Sequence, residues 1–469
     1  MSPLLILGAY LGLVVVVSFV ASKKAAFTPE GFFLAGRSLG PLVLFLTMAA
    51  TNFSAFFFLG FAGAAYNTGL GQYGIMGVGT ALAPVSFYFI GRAVWRLGKR
   101  KGYLTAPELI GGEFNSPFLR KLVLVVMVVF TLPYLLTQAV GAGILVSSLL
   151  GIDVLRIGGA IMIVVIGAVV ILGGMKASAW SDVLQGLVMI LAMLAAVIFV
   201  ARGLGGFSEA GLRAFAAAPE HFARPGPGEA FSLTGWISFL VLWTFVIPMF
   251  PQMFSRFFTA RSLRSLRATI WLYPLLVSFL FIAPVLIGVW ARGSGLEFST
   301  PDSVLPAMVA HFAPGWVYML VVIGALAALM STADSQLLAL ATMLANDLGL
   351  GWNQVRAGRW IAAVLCAVVA FYLLTGFDPQ VGIFTLLTQT TFAGLAVLMP
   401  SALAALYMPR LPKAAPIVSI LVGEAVVVLM RVGLLPTYGL ADGVIALAAA
   451  ALALGLVAGW SKLILHQPA

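Results

Sequence analysis

Residues 324–343 read GALAALMSTADSQLLALATM. Two apolar flanks enclose Ser331, Thr332, Asp334, Ser335 and Gln336 in the middle of a run, 313–345, that is long enough to cross a bilayer as a helix. A carboxylate at that depth costs about 2.5–3.5 kcal/mol on insertion scales, so it needs a partner. Ser331, Asp334 and Ser335 are spaced i, i+3, i+4 and share one face of a helix. Hydroxyls, one carboxyl and backbone carbonyls are hard oxygen donors, but they lack the several carboxylates that calcium prefers. A monovalent cation such as Na⁺ suits them. The competing reading is a polar seam between two packed helices.

The rest of the chain reads as the same kind of object. Of 469 residues, 62% are hydrophobic and 9% charged, where a soluble domain carries roughly 25% charged. Such a chain cannot be wrapped in enough polar surface to stay in water. We expect an all-α integral membrane protein, because backbone groups cannot go unpaired in lipid. Thirteen spans are predicted: 3–21, 41–66, 73–95, 122–149, 154–173, 182–201, 232–255, 268–290, 313–345, 360–375, 381–407, 415–434 and 442–463. The longest polar stretch, 202–232, is expected to be an outer loop with a short surface helix.

With the N-terminus outside and the C-terminus cytoplasmic, the inner segments hold 20 of the 26 basic residues, from Lys23 and Lys24 to Lys462 and including Arg256. This bias is how a membrane protein fixes its orientation. The net charge of +11 therefore gives no reason to expect nucleic acid. The run 4–21 has no basic segment before it and two lysines after it, which favours a retained span over a signal peptide. The single Cys366 and three scattered histidines exclude a disulfide framework and leave metal-dependent catalysis almost without ligands. Gly69–Gly74 fits a G-x-G-x-x-G pattern, but it lies in a turn between apolar helices rather than after a strand, so no nucleotide is expected there. The chain carries no P-loop, H-E-x-x-H or G-x-S-x-G.

Other spans are also interrupted by polar residues. The second holds Thr51, Asn52 and Ser54 at its centre, with Gly60 and Gly63 beyond. These side chains compete for backbone bonds, and freed carbonyls at a break can bind an ion or substrate; ordinary interhelical hydrogen bonding is the plainer alternative. The seventh span holds Trp243, Thr244, Pro248, Pro251, Gln252 and then Arg256, and its two prolines predict a second broken helix. The fourth carries Pro133, Tyr134, Thr137 and Gln138 on a face that packs or lines a cavity. Asp182 opens the sixth span after Trp180, where position alone favours a helix N-cap.

Taken together these stretches resemble the sodium:solute symporter family. The resemblance rests on FLAGRSLG (33–40) leading into AATNFSA (49–55), on FAGAAY (61–66) and GGMKASAWSDVLQ (173–185), and on PQMFSRFF (251–258) and LMSTADSQLLAL (329–340) followed by Asn346-Asp347. It implies a five-plus-five inverted repeat within one transmembrane domain, 1–469. Residues 1–38 form a peripheral first helix and cytoplasmic loop, 39–203 and 232–407 the two core repeats, and 415–469 two peripheral helices. It implies a sodium site built from the carbonyls of Ala50, Phe53 and Ala328 and the hydroxyls of Ser331 and Thr332. A second ion route passes Asp182 and Ser335, with Asp334 standing where some relatives with a second sodium carry Ser. Substrate contacts map to Asn52, Ser54, Phe57, Gln72, Tyr134, Gln138, Trp243 and Gln252.

The expected function is sodium-coupled symport of a small organic solute across the cell membrane by alternating access. The positive ends of broken helices favour a carboxylate, such as a monocarboxylate, an amino acid or a pantothenate-like acid. Asn52 stands where proline transporters carry Asp, which weakens proline itself. The phenylalanines at 56–58 fit a small apolar solute better than a sugar. Proton coupling is the alternative. A channel would want a repeated filter in a symmetric oligomer, and an enzyme clustered His or carboxylates. The partners implied are sodium, the solute and the bilayer. No organic cofactor, nucleic acid or obligate protein partner is expected.

Overall fold

A computed structural model describes residues 3–23, 28–350, 353–375 and 387–465. Lys24, His466 and the start of the predicted eleventh span, 381–386, lie outside them. Among the described residues all regular secondary structure is helical, apart from one isolated bridge between Leu39 and Ala260.

The main helices are α1 (Pro3–Ser22), α2 (Pro41–Asn52), α3 (Phe56–Thr68), α4 (Gly71–Lys101), α5 (Pro117–Leu150), α6 (Leu155–Gly203), α7 (Leu233–Met249) and α8 (Pro251–Thr259). They continue with α9 (Leu263–Gly293), α10 (Gly315–Asp347), α11 (Gln354–Thr375), α12 (Phe392–Tyr407), α13 (Ala414–Arg431) and α14 (Asp442–Leu465). Among the described residues, nine helices are long and apolar enough to cross a bilayer, α6 counted as one, and the two bent pairs bring the number to eleven. The bent pairs are α2 with α3, at 58°, and α7 with α8, at 57°. These are the two interruptions expected from Thr51–Ser54 and from Pro248 and Pro251. The break in the first falls at Phe53, whose φ and ψ of −85° and 97° leave the helical region. Gly60, by contrast, keeps helical angles. Gly63 serves a close crossing: a Cβ there would stand 2.3 Å from the carbonyl oxygen of Pro301.

The 49 residues of α6 would extend about 73 Å as one straight helix, more than twice the hydrocarbon thickness. Gly174, at φ 56° and ψ −155°, divides it into two arms, 155–173 and 175–203. A Cβ on Gly174 would meet the Phe32 carbonyl oxygen at 2.4 Å, so the reversal needs glycine. The sixth span thus begins at Met175, not at 182. Asp182 lies two turns inside the second arm and is no N-cap. The polar stretch 202–232 carries its expected helix at Phe207–Ala217.

The bundle is held at both ends. At the basic end, Arg120 bonds Asp347 at 2.6 Å and the Asn346 carbonyl at 3.0 Å, and Thr105 donates to Asp347 at 2.8 Å. Leu39 N–H donates to the Thr259 carbonyl at 3.1 Å, tying the chain before α2 to the chain after α8. At the opposite end, Arg292 and His221 both reach the Tyr66 carbonyl, at 2.7 and 3.0 Å. Large apolar side chains such as Trp271, Phe279, Phe371 and Leu456 stay outside the core, as a surface solvated by lipid requires.

Candidate functional site

The α2–α3 break faces the middle of α10. Ending α2 at Asn52 leaves carbonyls without helical partners, and two hydroxyls of α10 meet them. Ser331 Oγ lies 2.9 Å from the Ala50 carbonyl oxygen and 3.0 Å from that of Ala328. Thr332 Oγ1 lies 2.9 Å from the Thr51 carbonyl and 3.3 Å from that of Phe53. All five expected oxygen donors therefore converge, together with the carbonyl of Thr51. Every one of these residues is buried. The cluster is neutral, oxygen-only and sited where two helices from different parts of the chain meet.

One turn toward the basic end of α10 lies a charged network. Arg256, on α8, is fully buried. Its guanidinium donates to Asp182 Oδ2 at 2.8 Å, Ser335 Oγ at 2.6 Å, Thr47 Oγ1 at 3.0 Å and the Gln252 carbonyl at 3.1 Å. Thr47 in turn donates to Asp182 Oδ2. Ser335 lies 2.9 Å from Asp334 Oδ1, which also accepts from Ser178 at 3.1 Å. Thr51 and Ser335 are 3.2 Å apart, so the network adjoins the oxygen cluster. Asp182 bonds the guanidinium directly, Asp334 reaches it only through Ser335, and Asp182 Oδ1 has no hydrogen-bond partner.

Arg256 was placed among the cytoplasmic arginines by sequence, and it is not there. Its setting was legible in retrospect. It sits in MFPQMFSRFF (249–258), where a lone charge flanked by phenylalanines must turn inward. Thr47, Ser178 and Tyr273 were missed as well; one hydroxyl in an apolar helix gives no sequence signal.

The expected substrate contacts divide. On one side of the break, Asn52 donates to Tyr273 Oη at 2.7 Å, while Phe57 stacks between Phe53 and Phe281 with centroids at 5.0 and 4.6 Å. On the other side, Trp243 packs against Phe56 and Phe392 at 5.8 and 4.7 Å, and Tyr134 packs on Phe250 at 5.6 Å. Ser54 and Gln138 serve the break itself. Ser54 Oγ accepts from Phe56 N–H at 3.2 Å and from Tyr134 Oη at 3.3 Å, and Gln138 Oε1 accepts from Ala55 N–H at 3.0 Å. Gln72 is apart from this group: its side-chain oxygen accepts from Thr68, at the end of α3, at 3.4 Å. Trp243 Nε1 and both side-chain amide atoms of Gln252 are buried without hydrogen-bond partners, a costly state unless something else supplies the bond.

The family model described as the sodium:solute symporter family matches residues 32–423. The sodium/pantothenate symporter of Escherichia coli (strain K12) is 26% identical over 412 residues, 86% of this chain and 85% of that protein. The high-affinity proline transporter PutP of Bacillus subtilis (strain 168) is 24% identical over 430 residues, 88% and 89% of the two chains. Among solved structures, a Na⁺-coupled sialic acid symporter in a substrate-bound outward-open state superposes with a TM-score of 0.78 at 18% identity, over 98% of both chains. This last likeness is one of fold.

Proposed function

The chain belongs to the sodium:solute symporter family, and we propose that it moves a small carboxylate-bearing solute across the cell membrane together with Na⁺. The observation that carries the reading is the convergence of the Ala50, Phe53 and Ala328 carbonyls with the Ser331 and Thr332 hydroxyls. A sodium ion there would take ligands from α2 and α10 at once. It would favour one arrangement of residues 39–203 and 232–407, the two core repeats of the inverted fold. Pantothenate and proline, carried by the relatives named above, are both carboxylates, which supports that substrate class. The unpartnered Trp243 Nε1 and Gln252 amide support a solute site on the Trp243 side of the break. Asp182, Ser335 and Asp334 provide a second ion route, since the excess carboxyl group beside Arg256 calls for a cation.

Uptake into proteoliposomes tests this. Labelled pantothenate, proline and short monocarboxylates are offered under an imposed sodium gradient or an equal proton gradient. Accumulation of at least one of them with sodium alone is expected. Accumulation driven by protons alone would replace sodium with proton coupling.

Trp243→Phe keeps the ring packing and removes the indole N–H. Loss of one hydrogen bond of about 1–1.5 kcal/mol raises the half-saturating solute concentration roughly tenfold, and an unchanged value would remove Trp243 from the contact set.

Orientation follows from the basic end of the bundle. Cysteines placed at Ser22 and Ser461 are expected to react with impermeant reagents from the cytoplasmic side. Reaction of both only from outside would invert the topology.

A further inference from the structure

Toward the basic end of the bundle, α4 presents Arg92, Arg96 and Arg100, spaced i, i+4, i+8 on one face. With Tyr88, Phe89 and Tyr407 they line a cavity of ≈ 350 Å³. The charges here are handled unlike those nearby. Arg37 pairs with Glu30, Lys101 with Glu113 and Arg120 with Asp347. Among the described residues no ion pair involves Arg92, Arg96 or Arg100, and no acidic side chain lines the cavity. Arg92 lies over the Tyr88 ring at 4.5 Å, and its Nε is buried without a hydrogen-bond partner.

The same helix face continues into the apolar layer. Leu82, Val85 and Phe89 are all exposed and precede Arg92 and Arg96 on the same helix, with Phe89 lining the same cavity as both. An exposed apolar stripe thus runs along the helix into a pocket of guanidinium groups rimmed by aromatic rings, the residue type that seats at membrane interfaces. On the adjoining side, Tyr407 also borders a second hollow that contains Arg410.

We propose that this cavity binds the headgroup of an anionic phospholipid, with its phosphate on Arg92, Arg96 and Arg100 and an acyl chain along Leu82, Val85 and Phe89. Guanidinium groups match phosphate oxygens in bidentate geometry, and basic pockets between helices at the charged end of a bundle take lipid headgroups. The stripe distinguishes a lipid from a free anion, because a soluble phosphate would make no use of it. The inference is independent of the coupling ion and of the transported solute.

Purified full-length protein in mild detergent tests it, with bound lipid counted by native mass spectrometry during titration with phosphatidylglycerol or phosphatidylcholine, and with inorganic phosphate as competitor. The variant carries R92Q, R96Q and R100Q together. A control carries R261Q, R264Q and R267Q, which makes the same charge change at three exposed arginines elsewhere. Each basic residue near a membrane surface contributes about fivefold, so the first variant should bind phosphatidylglycerol roughly 100-fold more weakly. The control should bind like wild type, and millimolar phosphate should not compete. Equal loss in both variants, or equal retention of phosphatidylcholine, would overturn the site. Full displacement by inorganic phosphate would overturn the lipid as its occupant. Gel filtration of both variants establishes that they are folded. If the first variant does not fold, phosphatidylglycerol binding by single R96Q is read instead, with a fivefold loss expected and wild-type binding overturning the proposal.

Discussion

Arg256→Gln is expected to cost about 3–5 kcal/mol of folded-state stability, because it leaves Asp182 buried without its charge partner. Both side chains are fully buried, and Asp182 Oδ2 is 2.8 Å from the guanidinium. Removing either partner alone is therefore far worse than removing both. Asp182→Asn leaves the guanidinium facing Asp334 through Ser335, so its cost should be smaller. The double variant Asp182→Asn with Arg256→Gln should recover much of the loss. Denaturant unfolding in detergent of the two single variants and the double variant measures the coupling. Additive effects would mean that the pair contributes no more than two separate packing contacts. Asp182→Asn should also slow sodium-driven uptake while leaving solute binding at saturating sodium intact, because it changes the proposed second ion route and spares the oxygen cluster.

Ser331→Ala and Thr332→Ala each remove one hydroxyl from the oxygen cluster and nearly conserve volume. With one ligand oxygen contributing about 1.4 kcal/mol, the sodium concentration for half-maximal uptake should rise roughly tenfold for either. Solute affinity at saturating sodium should stay near wild type. By linkage, solute raises sodium affinity by the same factor that sodium raises solute affinity, typically about 5- to 150-fold. Each variant should therefore show a weakened sodium effect on solute binding below saturation. The alternative is that the hydroxyls only satisfy backbone, as the 3.0 Å contact of Ser331 with its own helix at Ala328 would allow. In that case the sodium dependence of uptake would not move.

How much could be read from the sequence follows from where the signal lies. The two broken helices were legible because proline and clustered polar residues act on their own helix. The convergence of Ala50, Phe53, Ala328, Ser331 and Thr332 followed from the resemblance, since carbonyl ligands leave no trace in side-chain chemistry. Asp182 was misjudged because a single residue, Gly174, turns the chain, where a longer loop was expected. That adds two turns of helix before Asp182 and carries it from the interface to the interior. Arg256 was misjudged because counting charges by segment cannot tell an arginine at a helix end from one buried five residues after a proline break. Gln72 fell away from the other polar candidates because the short helix after Gly69 directs it to Thr68. The partnership of Asn52 with Tyr273 joins residues 221 positions apart, and no local pattern reports it.

Sodium held between α2 and α10 is the core of this reading, and equilibrium binding of radioactive sodium to the purified protein measures it without any knowledge of the solute. Saturable binding that potassium does not displace is expected for the wild type, with at least a tenfold loss of affinity in the Ser331→Ala, Thr332→Ala double variant. Binding of the same affinity in both proteins would place the ion elsewhere, and the absence of saturable sodium binding by the folded wild-type protein would contradict sodium coupling at this site altogether.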